Sequence, residues 1–216
     1  MLNEIRVGAI TGSNGTVNPA RGTKNGATAT ANVQDKYYEQ VVGGNVFSLV
    51  LAAWTTTVNA GNINSAAAAA VTQFALWNPA NSGKNLSLLK FGVWPISGTA
   101  PVAGVFHSKG TAPTVASAAV TPVANNLAGA AVTSVAGYMA SAAGAALTGG
   151  GALTLIRAAD LFITAGTVAN LQGGRSIENI DGDIVIPPGM MWVPTWVAAG
   201  TTFLGGYSIT WEEVAV

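Results

Sequence analysis

The stretch Phe203-Leu204-Gly205-Gly206-Tyr207-Ser208-Ile209-Thr210-Trp211-Glu212 decides the fold. Phe203, Tyr207, Ile209 and Trp211 alternate with Leu204, Ser208, Thr210 and Glu212. That period of two puts successive side chains on opposite faces of a β-strand. One face then carries large aromatic and branched groups that must be covered, so this strand is expected at the centre of a sheet.

The same period recurs upstream. Phe47, Leu49, Leu51 and Ala53 alternate with Val46, Ser48, Val50 and Ala52, and both faces are apolar enough to be covered. Asn64-Ser65 and the five alanines after it either cap a short helix or lead straight into a strand, and strand is expected from Val71 through Thr72, Phe74 and Leu76. Asn78-Pro79-Ala80-Asn81-Ser82-Gly83 then reverses the chain, because Pro presets one backbone angle and Gly admits a positive one. Leu86 to Trp94 reads as a long strand whose alternation slips at Leu88-Leu89, the mark of a bulge, and it is expected to form a hairpin with the strand before it. Shorter strands are expected at Val102–Phe106, Leu153–Ile156, Leu161–Thr164 and Asp183–Ile186, and through Met191, Trp192 and Trp196.

Many short strands between Gly/Pro turns, with no convincing long helix, predict an all-β fold: an antiparallel β-sandwich, with jelly roll as the preferred topology. Residues 1–44 are rich in Gly, Asn and Thr and carry hardly any apolar period, which predicts an extended N-terminal arm ahead of a sandwich domain at 45–216. Ser97 to Gly151 is of low complexity, with an Ala/Gly-rich segment near 112–151. Lacking large side chains, it is expected to form small strands and loops that project from the sandwich or line a symmetry contact.

Half of the 216 residues are apolar and only 8% are charged, against about 25% in ordinary soluble domains. So neutral a chain is expected to hide much of its surface in contacts between subunits. The nine basic residues are scattered singly and balanced by nine acids, which argues against nucleic acid, since a basic face is needed to displace counterions from phosphates. No Cys is present, so disulfides and thiolate metal sites are excluded. Met1-Leu2-Asn3-Glu4-Ile5-Arg6 lacks the basic-then-apolar order of a signal peptide, and folding in the cytoplasm is expected. Ala128 to Leu147 is uncharged, with Gly129, Gly137 and Gly144 spaced as in packed membrane helices, but its apolar content is mostly Ala, so no membrane role is expected.

Little in the chain points to catalysis. His107 is the one histidine and no G-x-S-x-G elbow accompanies it, so it is read as a satisfied core or surface residue. No phosphate-loop pattern occurs, and Gly149-Gly150-Gly151 reads as a turn. Glu178, Asp181 and Asp183 form the densest acidic group and are the calcium candidates, although their spacing matches no full calcium loop. The other reading of Asp181-Gly182 is a turn before the next strand. Glu212 and Glu213 point to opposite faces of a strand and cannot act as a facing pair, and Asp160 is read as a structural partner of Arg157. Trp54, Trp77, Trp94, Trp192, Trp196 and Trp211 could form a sugar-stacking face, but aromatics on strands are more often core. The expectation is a non-enzyme with no cofactor.

Lys36-Tyr37-Tyr38-Glu39-Gln40, Gly44-Asn45-Val46-Phe47-Ser48 and Asn78-Pro79 through Ser82-Gly83-Lys84-Asn85-Leu86 carry a resemblance that Asp181-Gly182-Asp183-Ile184-Val185-Ile186-Pro187-Pro188-Gly189 and Trp211-Glu212-Glu213-Val214 extend. Together they resemble tailed-bacteriophage virion proteins, particularly head-associated or decoration-type proteins. The resemblance runs from about residue 36 to the end and rests on turn and strand signatures; the Ala/Gly-rich middle departs from it. It implies a jelly-roll-like virion subunit, a homotrimer made in the host cytoplasm, with identical subunits and the major capsid protein or other virion proteins as partners. The arm would reach across to a capsid subunit. Two other readings are a carbohydrate-binding module of a phage fibre or tail, used for host attachment, and a secreted enzyme whose site is not evident in the sequence.

Overall fold

The computed structural model describes residues 37–51, 74–97, 99–100, 103–113, 121–126, 133–140, 153–163, 166–167, 176–196 and 204–216. The C-terminal strand lies at the centre of a sheet, as its alternation requires. In chain order the elements are a helical turn, α1 (Tyr38–Val42), then β1 (Val46–Leu51), β2 (Phe74–Trp77), β3 (Lys84–Ser97), β4 (Thr99–Ala100), β5 (Ala103–Thr111), β6 (Val123–Ala124) and β7 (Gly137–Ala140). They continue with β8 (Thr154–Ile163), β9 (Gly166–Thr167), β10 (Ser176–Asn179), β11 (Val185–Ile186), β12 (Met190–Trp196) and β13 (Leu204–Ala215). One sheet runs β10-β3-β13-β1-β6, with β11 also paired to β3; the other runs β7-β2-β12-β5-β8; β4 and β9 form a separate ribbon. All described pairings are antiparallel.

Parity along β13 builds the core. Tyr207, Ile209 and Trp211 stand opposite Val93, Phe91 and Leu88 of β3, and Ile209 and Trp211 stand opposite Leu49 and Phe47 of β1. All of these are buried. From the second sheet come Phe74, Leu76, Val105 and Trp192, also buried, so the two inner faces interdigitate as in a β-sandwich. Aromatic rings carry the contact between sheets: Phe91 meets Trp192 edge-on at 5.2 Å, and Phe74 stacks on Tyr207 at 5.8 Å.

The slip at Leu88-Leu89 is a bulge. Thr210 stands opposite Lys90 and Trp211 opposite Leu88, which leaves Leu89 as the extra residue on β3. The carbonyls turned out of the ladder there are put to use: Leu89 O accepts from the amides of Ile180 and Asp181, and Leu88 O from that of Gly182. Asp181 and Gly182 have φ of 53° and 90°, and the Asp183 amide donates to Ile180 O at 3.0 Å. Those angles are the type I′ turn that an Asp-Gly pair favours.

Two expectations are corrected. β2 and β3 do not form a hairpin: β2 belongs to one sheet and β3 to the other, and residues 78–83 carry the chain across the sandwich. The buried Asn78 holds this corner, its side-chain amide donating to Lys84 O at 2.6 Å and Ile186 O at 2.9 Å while its amide and carbonyl bond Met190 O and Gly189 N. Nor does the described part of the Ala/Gly-rich segment project from the sandwich. β6 pairs β1 at the edge of one sheet and β7 pairs β2 at the edge of the other, and Ala136 is buried. Glu213, buried at the end of β13, anchors this segment by accepting from Ser134 Oγ (2.6 Å) and the Val135 amide (2.9 Å) while pairing with Lys84 Nζ (2.9 Å). The arm expected over residues 1–44 lies outside the described residues as far as residue 36; α1 occupies Tyr38–Val42, and a compact unit runs from Gln40 to Val216.

Small residues matter inside the strands as well. Gly137 stands opposite Trp77 and Gly206 opposite Trp94, and in both pairs the indole lies across the glycine where a Cβ would be. A large ring over a glycine fills both places with one side chain, so a methyl group at either glycine must displace an indole. Gly137→Ala and Gly206→Ala are each expected to cost about 1–3 kcal/mol in urea unfolding. Wild-type midpoints for both would show that the rings move aside freely.

Candidate functional site

β8 and β10 are edge strands of opposite sheets, and their side chains meet where the sandwich would otherwise be open. His107 on β5 shares the inner face of its sheet with Arg157, its partner on β8. Glu178 on β10 stands opposite Phe91 of β3, which places its carboxylate on the inner face of the other sheet. Trp192 on β12 closes the group from the centre of the core.

These side chains form one hydrogen-bonded chain. Trp192 Nε1 donates to His107 Nδ1 at 3.0 Å. Because Nδ1 accepts, the neutral imidazole carries its proton on Nε2, which donates to Glu178 Oε2 at 2.9 Å. Arg157 Nη1 donates to the other oxygen, Oε1, at 2.7 Å, and to the Ala158 carbonyl at 3.1 Å; its Nε lies 3.6 Å from Asp183 Oδ2. His107 is fully buried, Glu178 is nearly so, and the Arg157 side chain is one-third exposed. Burial lowers the His107 pKa from 6.5; the hydrogen bond and charge of Glu178 oppose that shift, and the Arg157 charge adds to it. The balance is physical: Arg157 already neutralises Glu178, so an imidazolium would be a surplus buried cation.

The arrangement suits fastening better than catalysis. Both ring nitrogens of His107 are occupied and the ring has no solvent access. Ser108, its chain neighbour, faces the other way and bonds Thr195 Oγ1 at 2.7 Å. No nucleophile therefore stands within reach of the imidazole among the described residues.

The acidic group is not gathered as a calcium site. Glu178 turns inward and both its oxygens are engaged, whereas Asp183 is 72% exposed and Asp181 sits in the turn. An open depression of about 670 Å³ lies beside them, lined by Arg157, Glu178 and residues 179–183. No group of three His, Cys, Asp or Glu residues placed to hold a metal occurs among the described residues. Arg157 was expected to pair with Asp160; its described partners are Glu178 and Asp183, and the Asp160 side chain lies outside the described ones. Glu213 points inward and Glu212 to the opposite face, where burial raises its pKa. Trp77, Trp192 and Trp211 are buried and Trp94 is half-buried, so these four form no exposed sugar platform; Trp54 and the Trp196 side chain lie outside the described parts of the chain. No helix among the described residues is long and apolar enough to cross a membrane, and Gly137–Ala140, within the uncharged stretch, is a strand.

No protein-family model matches the chain, and no curated protein matches it in sequence. The sequence indicated that His107 would be a satisfied residue but not its partners. His107 and Glu178 are 71 positions apart and His107 and Trp192 are 85 apart, distances at which no local pattern reports contact. One signal was present: His107 shares strand parity with Val105, which marks it as inward-facing.

Proposed function

We propose that this chain is a structural subunit of a virus particle, a capsid decoration or other head-associated protein that stabilises a shell through contacts with identical copies and with capsid protein. The observation that carries the reading is the edge where β8, β10 and β11 end their sheets. Leu155, Ile156, Ile177 and Val185 are 44%, 43%, 47% and 49% exposed there. Arg157, on the same edge, has its charge committed to Glu178. Edge strands of free proteins are normally blunted by lysine, proline or a covering element, and apolar edge residues instead suit a contact between subunits.

Strand order supports the jelly-roll form of this reading. β1 lies beside the last strand, β13, and β2 beside the last but one, β12; β3 takes the other side of β13 and β5 the other side of β12, with β8 and β10 outermost. A long hairpin wound around a sandwich nests its strands in this way. The buried tryptophans weaken the carbohydrate-binding alternative.

Light scattering on the full chain over a dilution series tests the proposal. A stable trimer is expected, reduced to monomer by Leu155→Lys combined with Ile177→Lys, which change exposed positions only. A wild-type chain that stays monomeric at all concentrations would overturn the reading, and binding of that monomer in a glycan screen would replace it with host attachment.

A further inference from the structure

We propose that His107 is an acid-operated latch: its protonation unfastens β10, held through Glu178, from β5 and so opens this edge of the sandwich. The inference holds whether or not the edge is a subunit contact.

The geometry makes the latch one-way. Trp192 Nε1–H has a single hydrogen and points it at His107 Nδ1. A proton added to the imidazole must go to Nδ1, since Nε2 already bears one, and two donors would then face each other at 3.0 Å. The indole cannot adjust by exchanging roles, because its nitrogen only donates. Nor can it swing away at little cost, since it is packed edge-on against Phe91 and Phe74 in the centre of the core. Protonation therefore breaks the Trp192 bond or moves the imidazole, and the imidazole is what ties Glu178 to β5.

The surrounding charges do not rescue the protonated form. Glu178 faces His107 from β10 and Arg157 from β8; Asp183, beyond Arg157, is largely in water; Lys109, two positions along β5, is exposed; β3 and β12 present the uncharged Phe91 and Trp192. One buried carboxylate thus serves one guanidinium, and a second cation has no counterion of its own. Burial is the largest influence on His107 and lowers its pKa in the folded state below the 6.5 of the open chain. An open edge then binds the proton more readily than the closed one, so closure is fully favoured above pH 6.5, loses ground as pH falls below it, and reaches its limit under the folded-state pKa.

Two readouts on the wild-type chain test this between about pH 7.5 and about pH 5. Side-chain ¹⁵N shifts should show His107 protonated on Nε2 alone at the upper pH, with a titration midpoint below 6.5. Amide hydrogen exchange in β8 and β10, corrected for intrinsic rates, should accelerate about tenfold or more along the same curve, while β3 and β13 change little. His107→Gln, which does not titrate, should show no such acceleration. A midpoint at or above 6.5, unchanged exchange while His107 becomes protonated, or the same acceleration in His107→Gln would each overturn the latch. Should the variant fail to fold, agreement or disagreement of the two wild-type curves still decides.

Discussion

Glu178→Ala is expected to lower stability by about 3–5 kcal/mol, seen as a large drop in the urea midpoint at neutral pH. The carboxylate receives Arg157 on one oxygen and His107 on the other, and it is buried, so its removal leaves the Nε2–H of the fully buried His107 ring without its protein acceptor. Stranding a buried polar partner is what makes such deletions costly; the net worth of the intact network is far smaller. Two controls separate these ideas. Asp183→Ala, at an exposed carboxylate 3.6 Å from Arg157 Nε, is expected to cost no more than about 1 kcal/mol. Replacing Glu178, His107 and Arg157 together by apolar residues of similar size is expected to recover most of the loss suffered by Glu178→Ala. If Glu178→Ala unfolds at the wild-type midpoint, the clasp contributes nothing and the latch fails with it.

Trp192→Ala is expected to cost about 3–5 kcal/mol from the cavity alone. The indole touches Phe74, Phe91 and His107 and lies at the meeting of both sheets, where neighbours held by two ladders cannot collapse into the gap. Loss of the bond to His107 Nδ1 adds about 1–3 kcal/mol. Trp192→Phe removes that bond together with only part of the ring volume. Trp211 provides the comparison, since it is equally buried but its Nε1 finds no hydrogen-bond partner among the described residues. Trp211→Phe removes a buried donor that has no such partner, so it should cost less than Trp192→Phe; the reverse order in urea midpoints would mean that packing volume, not the hydrogen bond, governs position 192.

The strands themselves are legible in the residue pattern. Phe203–Glu212 carries its own period, Leu88-Leu89 announces a bulge by breaking one, and Asp181-Gly182 names its turn type through residue chemistry. Each is a statement about a backbone and its immediate neighbours, and each holds over the described residues, from Leu204 onward in the first case. The hairpin expected of β2 and β3 failed for the complementary reason. Residues 78–83 reverse the chain as their composition requires, but whether a reversal ends in the same sheet or the opposite one depends on what receives the next strand. Here Asn78 is tied to Lys84 O and to Ile186 O, the latter 108 positions away. The described part of the Ala/Gly-rich segment forms small strands as expected but does not project, for the same reason: small side chains build little core, yet Ser134 and Val135 are drawn into the sandwich by Glu213, 79 and 78 positions further along the chain.

Sequence alone, then, determined the class of the fold, because alternation is a local property and a half-apolar chain without long helices must bury one face of each strand against another sheet. It also indicated that His107 would be satisfied. The tertiary structure decided strand order, the crossing at Asn78 and the clasp of Trp192, His107, Glu178 and Arg157, which join residues on four strands. Hydrogen-bond partners at such separations are chosen by which edges the folded sheets bring within about 3 Å, and that choice is made only when the sandwich closes.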